Sequence, residues 1–107
     1  MDLSPIFQAL ADPTRRAIVE RLARGPSRVT DIALPFDMSL SAVSKHLKVL
    51  ERARLVRRSR VGREHRLSLE AWPLREAARY ALRYRSFWEG RLDRLESHFA
   101  SRREGPP

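Results

Sequence analysis

The side chains in this sequence that can do chemistry are cations. Lys and Arg number 22 against 13 Asp and Glu, which gives a net charge of +9 and an isoelectric point near 11.4. Apart from Lys45 and Lys48, every one of them is an arginine. Their placement is uneven. Residues 41–66 carry Lys45, Lys48, Arg52, Arg54, Arg57, Arg58, Arg60, Arg63 and Arg66 against only Glu51 and Glu64. That stretch is net +7, and the rest of the chain is net +2. A balanced body with one concentrated basic segment is the footprint of a polyanion binder. A solvated arginine-rich face has the same composition, so the elements that carry the charges decide between the two.

Other chemistries find little support. Cysteine is absent, which excludes disulfides, thiolate nucleophiles and sulfur-rich metal sites, and fits a reducing, cytoplasmic setting. His46, His65 and His98 fall on three different predicted elements, a poor set for one metal ion. No Ser/His/Asp order with supporting turns is present, and the carboxylates read as helix caps and surface pairs. No enzyme, no cofactor and no metal are therefore expected. The chain has 107 residues and a mass of 12.4 kDa, enough for one modest core and little room for a deep catalytic cavity. There is no run of eighteen apolar residues and no basic-then-apolar start, so neither a membrane span nor a secretory signal is expected.

The positioning elements can be read from spacing. Leu3, Ile6, Phe7 and Leu10 recur at helical intervals, predicting a short helix over 3–11. Asp12-Pro13 ends it and starts a second, with Asp12 as N-cap and Pro13 in the first helical position. Ala17, Ile18, Leu22 and Ala23 form its apolar stripe, and Gly25-Pro26 stops it. Ser27 is a candidate cap for a short third helix that Pro35 closes. Ser39 is the natural cap of a fourth. There Leu40, Val43, Leu47 and Leu50 step by three and four toward a core, leaving Ser41, Ser44, Lys45 and Lys48 on the wet face. Residues 55–60 and 64–69 then read as a two-stranded hairpin, with Gly62 supplying the positive φ of its turn. From Pro73 to about Arg102 the spacing is helical again. Leu74, Ala78, Ala81, Arg85, Trp88, Leu92, Leu95 and Phe99 follow a seven-residue repeat. A helix of ~30 residues is ~45 Å long, more than so small a body can cover, so part of this seam needs another partner.

Helix, helix, short helix, helix, hairpin, long helix is the order of a winged helix-turn-helix between flanking helices. In that design the third helix and the turn brace the fourth, whose polar face fits a DNA major groove. The hairpin is a wing whose arginines reach phosphates or the minor groove.

The stretches FQALADPTRRAIVERLARG, SAVSKHLKVLERARLV and GREHRLSL resemble the ArsR-type winged-helix repressors of bacteria and archaea. The resemblance covers roughly residues 3–100. YRSFWEGRLDRL further resembles the SdpR-like branch of that family, which lacks metal ligands. The resemblance implies a homodimeric DNA-binding regulator, usually a repressor. It makes the fourth helix the recognition helix, with Ser39, Ser41, Ala42, Ser44, Lys45, His46 and Lys48 as its DNA-facing positions. Gly62 and Arg63 match the wing tip, where Arg58, Arg60 and Arg66 add charge. Metal-sensing members carry paired cysteines in the third helix, and Arg28 and Thr30 stand at the matching positions. Arg54 stands where the family usually has Gly, so it either takes positive φ or the turn differs. An added phosphate contact and tolerated drift both account for it. His46 either donates to a phosphate or bonds the neighbouring helix. Arg15 and Arg16 either contact the DNA backbone or are solvated.

The resulting expectation is a mostly helical winged helix-turn-helix domain over residues 1–103, with a small β-hairpin, and a disordered tail at 104–107. It binds a palindromic operator in double-stranded DNA as a homodimer through Leu3, Phe7, Trp88, Leu92, Leu95 and Phe99. The alternatives are a basic winged-helix RNA binder and a protein–protein adaptor.

Overall fold

Local turn chemistry sets most of the boundaries in the computed structural model, which describes residues 1–103; the tail expected at 104–107 lies outside the described residues. The elements are α1 (Ser4–Leu10), α2 (Pro13–Leu22), β1 (Ser27–Arg28), α3 (Val29–Ala33), α4 (Leu40–Arg52), β2 (Val56–Val61), β3 (Glu64–Leu69), α5 (Ala71–Leu82) and α6 (Arg85–Arg103). Asp12 and Ser39 cap as their residue types predict. Asp12 accepts from the Arg15 N–H at 3.1 Å and Ser39 Oγ from the Ala42 N–H at 3.1 Å.

The described residues divide into two compact units, Met1–Ala77 and the residues from Ala78 on, with the boundary inside α5. The first unit holds the core. Ile6 and Ala9 of α1, Ile18 and Leu22 of α2, Ile32 of α3 and Val43, Leu47 and Leu50 of α4 close over Leu55, Val56 and Leu67 of the sheet segment. Leu40, expected to face the core, is instead exposed, because the first residue of α4 lies beyond the edge of its apolar stripe.

The hairpin is part of a larger sheet. β1, β3 and β2 form an antiparallel sheet in that order, with Ser27 opposite Leu67 and Arg28 opposite Arg66. Ser27 is therefore a buried strand residue and not the cap of α3. Arg28 occupies the cap position, without a side-chain capping bond. In the hairpin Val61 pairs with Glu64 across Gly62 and Arg63. Gly62 has φ of +64° and Arg63 does not share it, the pattern of a type II′ turn.

The long C-terminal helix expected from the heptad spacing is two helices. The Arg83 N–H bonds both the Arg79 and Tyr80 carbonyls, at 3.2 and 3.3 Å, and the Tyr84 N–H bonds the Ala81 carbonyl at 3.2 Å. The ladder tightens from four-residue to three-residue steps and α5 ends. The Trp88 indole N–H then donates to the Ala81 carbonyl at 3.2 Å, satisfying one of the acceptors left open there.

Arg54 takes the positive φ, +60°, and is the one non-glycine among the described residues to do so. The Leu55 N–H bonds the Leu50 carbonyl and the Arg54 N–H the Glu51 carbonyl, both at 3.0 Å. These are the two bonds of a Schellman motif, and its apolar contact joins Leu50 and Leu55, both fully buried. Packing of those two leucines holds Arg54 in a conformation that an L-residue adopts at a cost of about 1–2 kcal/mol. Arg54→Gly is accordingly expected to raise unfolding stability by up to about 1 kcal/mol in urea titrations, and Arg54→Val to lower it.

Candidate nucleic-acid interface

Every candidate surface residue on α4 depends on the opposite face of that helix. Val43, Leu47 and Leu50 have no exposed area, and burying each contributes about 1.5–3 kcal/mol. With that stripe fixed, Ser41, Lys45 and Lys48 face solvent, and Ala42, Ser44 and His46 are partly buried. The exposed polar face is thus narrower than the sequence pattern suggests, with Ser44 at its edge. α4 packs chiefly against α1, α2 and β2, whereas α3 makes its larger contacts with β1 and β3. The bracing expected from α3 comes mainly from the first two helices.

Arg15 joins those two helices to α4, a role with no local signal in the sequence. Its Nε donates to the Ala9 carbonyl at 2.7 Å and its Nη2 to the Gln8 carbonyl at 2.8 Å, closing the end of α1. Its Nη1 lies 3.3 Å from His46 Nδ1. Arg16 likewise donates to the Leu10 carbonyl at 2.8 Å. His46 thus bonds the neighbouring helix, and both arginines bond carbonyls of α1, a role the sequence did not suggest for them. Asp12 lies 3.9 Å from His46 Nδ1. The Arg15 backbone N–H holds the Asp12 carboxyl below its usual range, and the Arg15 guanidinium adds to this.

The wing arginines do not form one patch. Strand alternation places Arg58 and Arg60 on the face of Val56, and the register puts His65 and Leu67 beside them. Arg66 pairs with Ser59, so it lies on the other face with Arg57. Arg58 is tied to Glu51 at the end of α4, Nε to Oε1 at 2.7 Å. Arg60 Nε turns to the Gly62 carbonyl at 3.0 Å. Glu64 draws Arg28 to 3.3 Å and Arg66 to 3.6 Å. Arg63 is exposed at the tip. An open cleft of about 290 Å³ lies between α3 and the wing, lined by Arg28, Val29, Thr30, Arg58, Arg63, Glu64 and His65.

The chain is similar to proteins of known type. The family described as "bacterial regulatory protein, arsR family" matches residues 12–58. The transcriptional repressor SdpR of Bacillus subtilis is 32% identical over 82 residues, which are 77% of this chain and 91% of that protein. The chain belongs to the ArsR family. Among solved structures, the ArsR-family transcriptional regulator RHA00566 aligns with a TM-score of 0.75 and 41% identity over 81% of this chain and 90% of that one. The homodimeric winged helix-turn-helix DNA-binding domain of Mb0332 from Mycobacterium bovis aligns at TM-score 0.63 and 26% identity, over 81% and 82%. Other curated relatives are matched over about half of their own length, 47%, 51% and 48%.

The fold of this ArsR-family chain is a winged helix-turn-helix, mostly helical with a small three-stranded antiparallel sheet. The family match runs from the cap of α2 into β2, so it spans every candidate on α4 but stops before the wing tip. Arg28 and Thr30, the positions that the resemblance matches to the thiolates of metal-sensing members, offer no soft-metal ligand. Arg28 offers a guanidinium already bonded to Asp31 at 3.0 Å and to Glu64.

The Glu51–Arg58 pair fixes the wing against the last turn of α4. A double-mutant cycle on Glu51→Ala and Arg58→Ala in urea is expected to give a coupling of about 1 kcal/mol, the upper end for a pair that water still reaches. Strictly additive losses would show that the pair is no strut.

Proposed function

We propose that this chain is a transcriptional repressor that binds a palindromic operator in double-stranded DNA as a homodimer, in the cytoplasm and without catalysis. The observation that carries this reading is α4 itself. One face is locked into the core and the opposite face presents Ser41, Lys45 and Lys48 to solvent. A helix so held enters a major groove as a rigid element, with Ser39, Ala42, Ser44 and His46 around its polar face. Gly62, Arg63 and Arg60 of the wing follow the phosphates, joined by Arg66 and Arg57 from the other face. Arg58 acts through Glu51 as a support. Regulation by a soft metal has no support in the chemistry of Arg28 and Thr30.

The homodimer rests on α1 and α6. Trp88, Leu92, Leu95 and Phe99 all expose a third or more of their surface, at 37%, 54%, 49% and 51%. Phe7 is exposed at 43%, and Leu3 lies partly against the core. Apolar residues in this number on one short segment mark a surface for a second copy, burying on the order of 2,000 Å². Residues 1–103 then act as one DNA-binding domain with dimerising first and last helices. The Leu92→Glu, Leu95→Glu double variant is expected to be monomeric or insoluble, because both charges enter the interface unpaired. Wild-type protein that scatters light as a monomer at micromolar concentration refutes the dimer.

Lys45 and Arg63 separate reading from anchoring. Lys45 is held by its helix against the base edges, where a good contact discriminates by about 1–3 kcal/mol. Arg63 sits on a hairpin tip and follows the backbone without being held to one base. With a duplex enriched by the wild-type protein from a random pool, Lys45→Ala is expected to weaken the enriched duplex more than random DNA. Arg63→Ala is expected to weaken both alike and to flatten the slope of log K against log salt by ~0.9 per phosphate contact, counted twice in a dimer. The reverse assignment would make the wing the reader. Equal losses on duplex RNA would favour an RNA target.

A further inference from the structure

His46 has two partners of opposite charge and can satisfy only one of them in each protonation state. Arg15 Nη1 lies 3.3 Å from its Nδ1, and a guanidinium can only donate. That contact is a hydrogen bond while Nδ1 keeps its lone pair, in the neutral ring with its proton on Nε2. Asp12 Oδ2 lies 3.9 Å from the same Nδ1 and can only accept once it is ionised. A protonated ring therefore leaves Arg15, with which it now shares a charge, and donates to Asp12.

The exchange matters because of what else Arg15 holds. Its Nη2 and Nε are fixed on the Gln8 and Ala9 carbonyls, so the His46 bond adds a polar tie between the end of α1 and α4 to their apolar packing. The charged groups set against His46 from α2 are Arg15 and Asp12, while Arg16 of the same helix is engaged with the Leu10 carbonyl. α1 presents the two carbonyls that Arg15 occupies. On α4 itself, Lys45 and Lys48 are exposed. Histidine is the side chain whose charge ordinarily changes between about pH 5 and 8.

We propose that His46 is a positioning residue: its neutral, Arg15-bound form holds α4 in the pose that discriminates DNA sequence, and protonation releases that hold by transferring the ring to Asp12. The inference rests on the reading of α4 as the recognition helix. Added charge at His46 raises affinity for any DNA, so the quantity that responds is the ratio of affinities for specific and random duplex.

The test uses a duplex enriched by the full chain from a random pool at pH 8, and a random duplex of equal length, at fixed salt. For the wild type the ratio of affinities is expected to fall about tenfold between pH 8 and pH 5.5. His46→Asn keeps an acceptor oxygen near the Nδ1 position and cannot titrate, so its ratio, whatever its level, is expected not to change between the two pH values. His46→Ala is expected to have the low ratio at both. A fall that persists in His46→Asn, or a high ratio in His46→Ala, overturns the proposal. Nitrogen NMR of the His46 ring tests the pair without DNA. A proton on Nε2 at pH 8 supports it, and a proton on Nδ1 at pH 8 overturns it even where no duplex is enriched. Failure to enrich any duplex, with the Nε2 proton in place, counts against the DNA reading and not against the pair.

Discussion

The structure depends on one constraint: a thirteen-residue helix must be immobile on one side and bare on the other. α4 meets it with three side chains, Val43, Leu47 and Leu50, that have no exposed area. Everything else in the first unit can be read as serving that burial. Ser39 satisfies a backbone donor at the start of the helix. The Schellman motif at its end sends Leu55 straight back into the core beside Leu50. The turn therefore reverses the chain within a few residues, and β2 starts against the helix it has just left. Arg54 is held at positive φ by that reversal, and the two buried leucines offset the strain.

The same constraint sorts the arginines. In composition they are equivalent, but each has a different distance to travel to a carboxylate or a carbonyl. Arg15 and Arg16 lie beside the open carbonyl end of α1, where N–H partners are missing, and close it. Arg58 meets Glu51 across the junction of α4 and the wing. Arg28 and Arg66 converge on Glu64. Lys45 and Lys48 on the helix and Arg63 at the tip are exposed, and in the proposed complex Arg57, Arg60 and Arg66 join them at the phosphates. A net charge of +9 thus overstates the free cationic surface, since several guanidinium groups already act as hydrogen-bond donors within the fold.

Which features were legible in the sequence follows from how local their causes are. Asp12-Pro13, Ser39 and Gly62 act within three residues of themselves, and each does what its type predicts. The apolar stripe of α4 was equally plain, and with it the candidates on the opposite face. β1 was not, because two residues have no period, and Ser27 reads as a cap until Leu67 is beside it. The break at Arg83-Tyr84 was hidden because the four-three spacing of apolar residues continues across it without Gly or Pro. The wing's division into two faces needs the cross-strand register, since a shift of one residue would put Arg57 where Arg58 is. The Arg15–His46 link joins residues 31 positions apart, and no pattern within either segment announces it.

The distribution of the core gives the assembly its physical sense. The buried apolar residues end at Ala77, and from Ala78 to Ala100 every described side chain is exposed. Helices of this length gain little from hydrogen bonding alone in water, because most helical stability in proteins comes from packing an apolar face. α6 carries Phe87, Trp88, Leu92, Leu95 and Phe99, which is ample apolar area to pack. Within its own unit it makes small contacts: the Trp88 indole on the Ala81 carbonyl, Arg91 over the Phe87 ring at 4.3 Å, Arg85 with Glu89 at 3.7 Å. Such contacts are worth tenths of a kcal/mol to about one each, against about 1–2 kcal/mol per residue to order the backbone. The proposed second copy supplies the missing term. In the proposed dimer, the stability of the C-terminal helix and the pairing of two copies are therefore one coupled equilibrium.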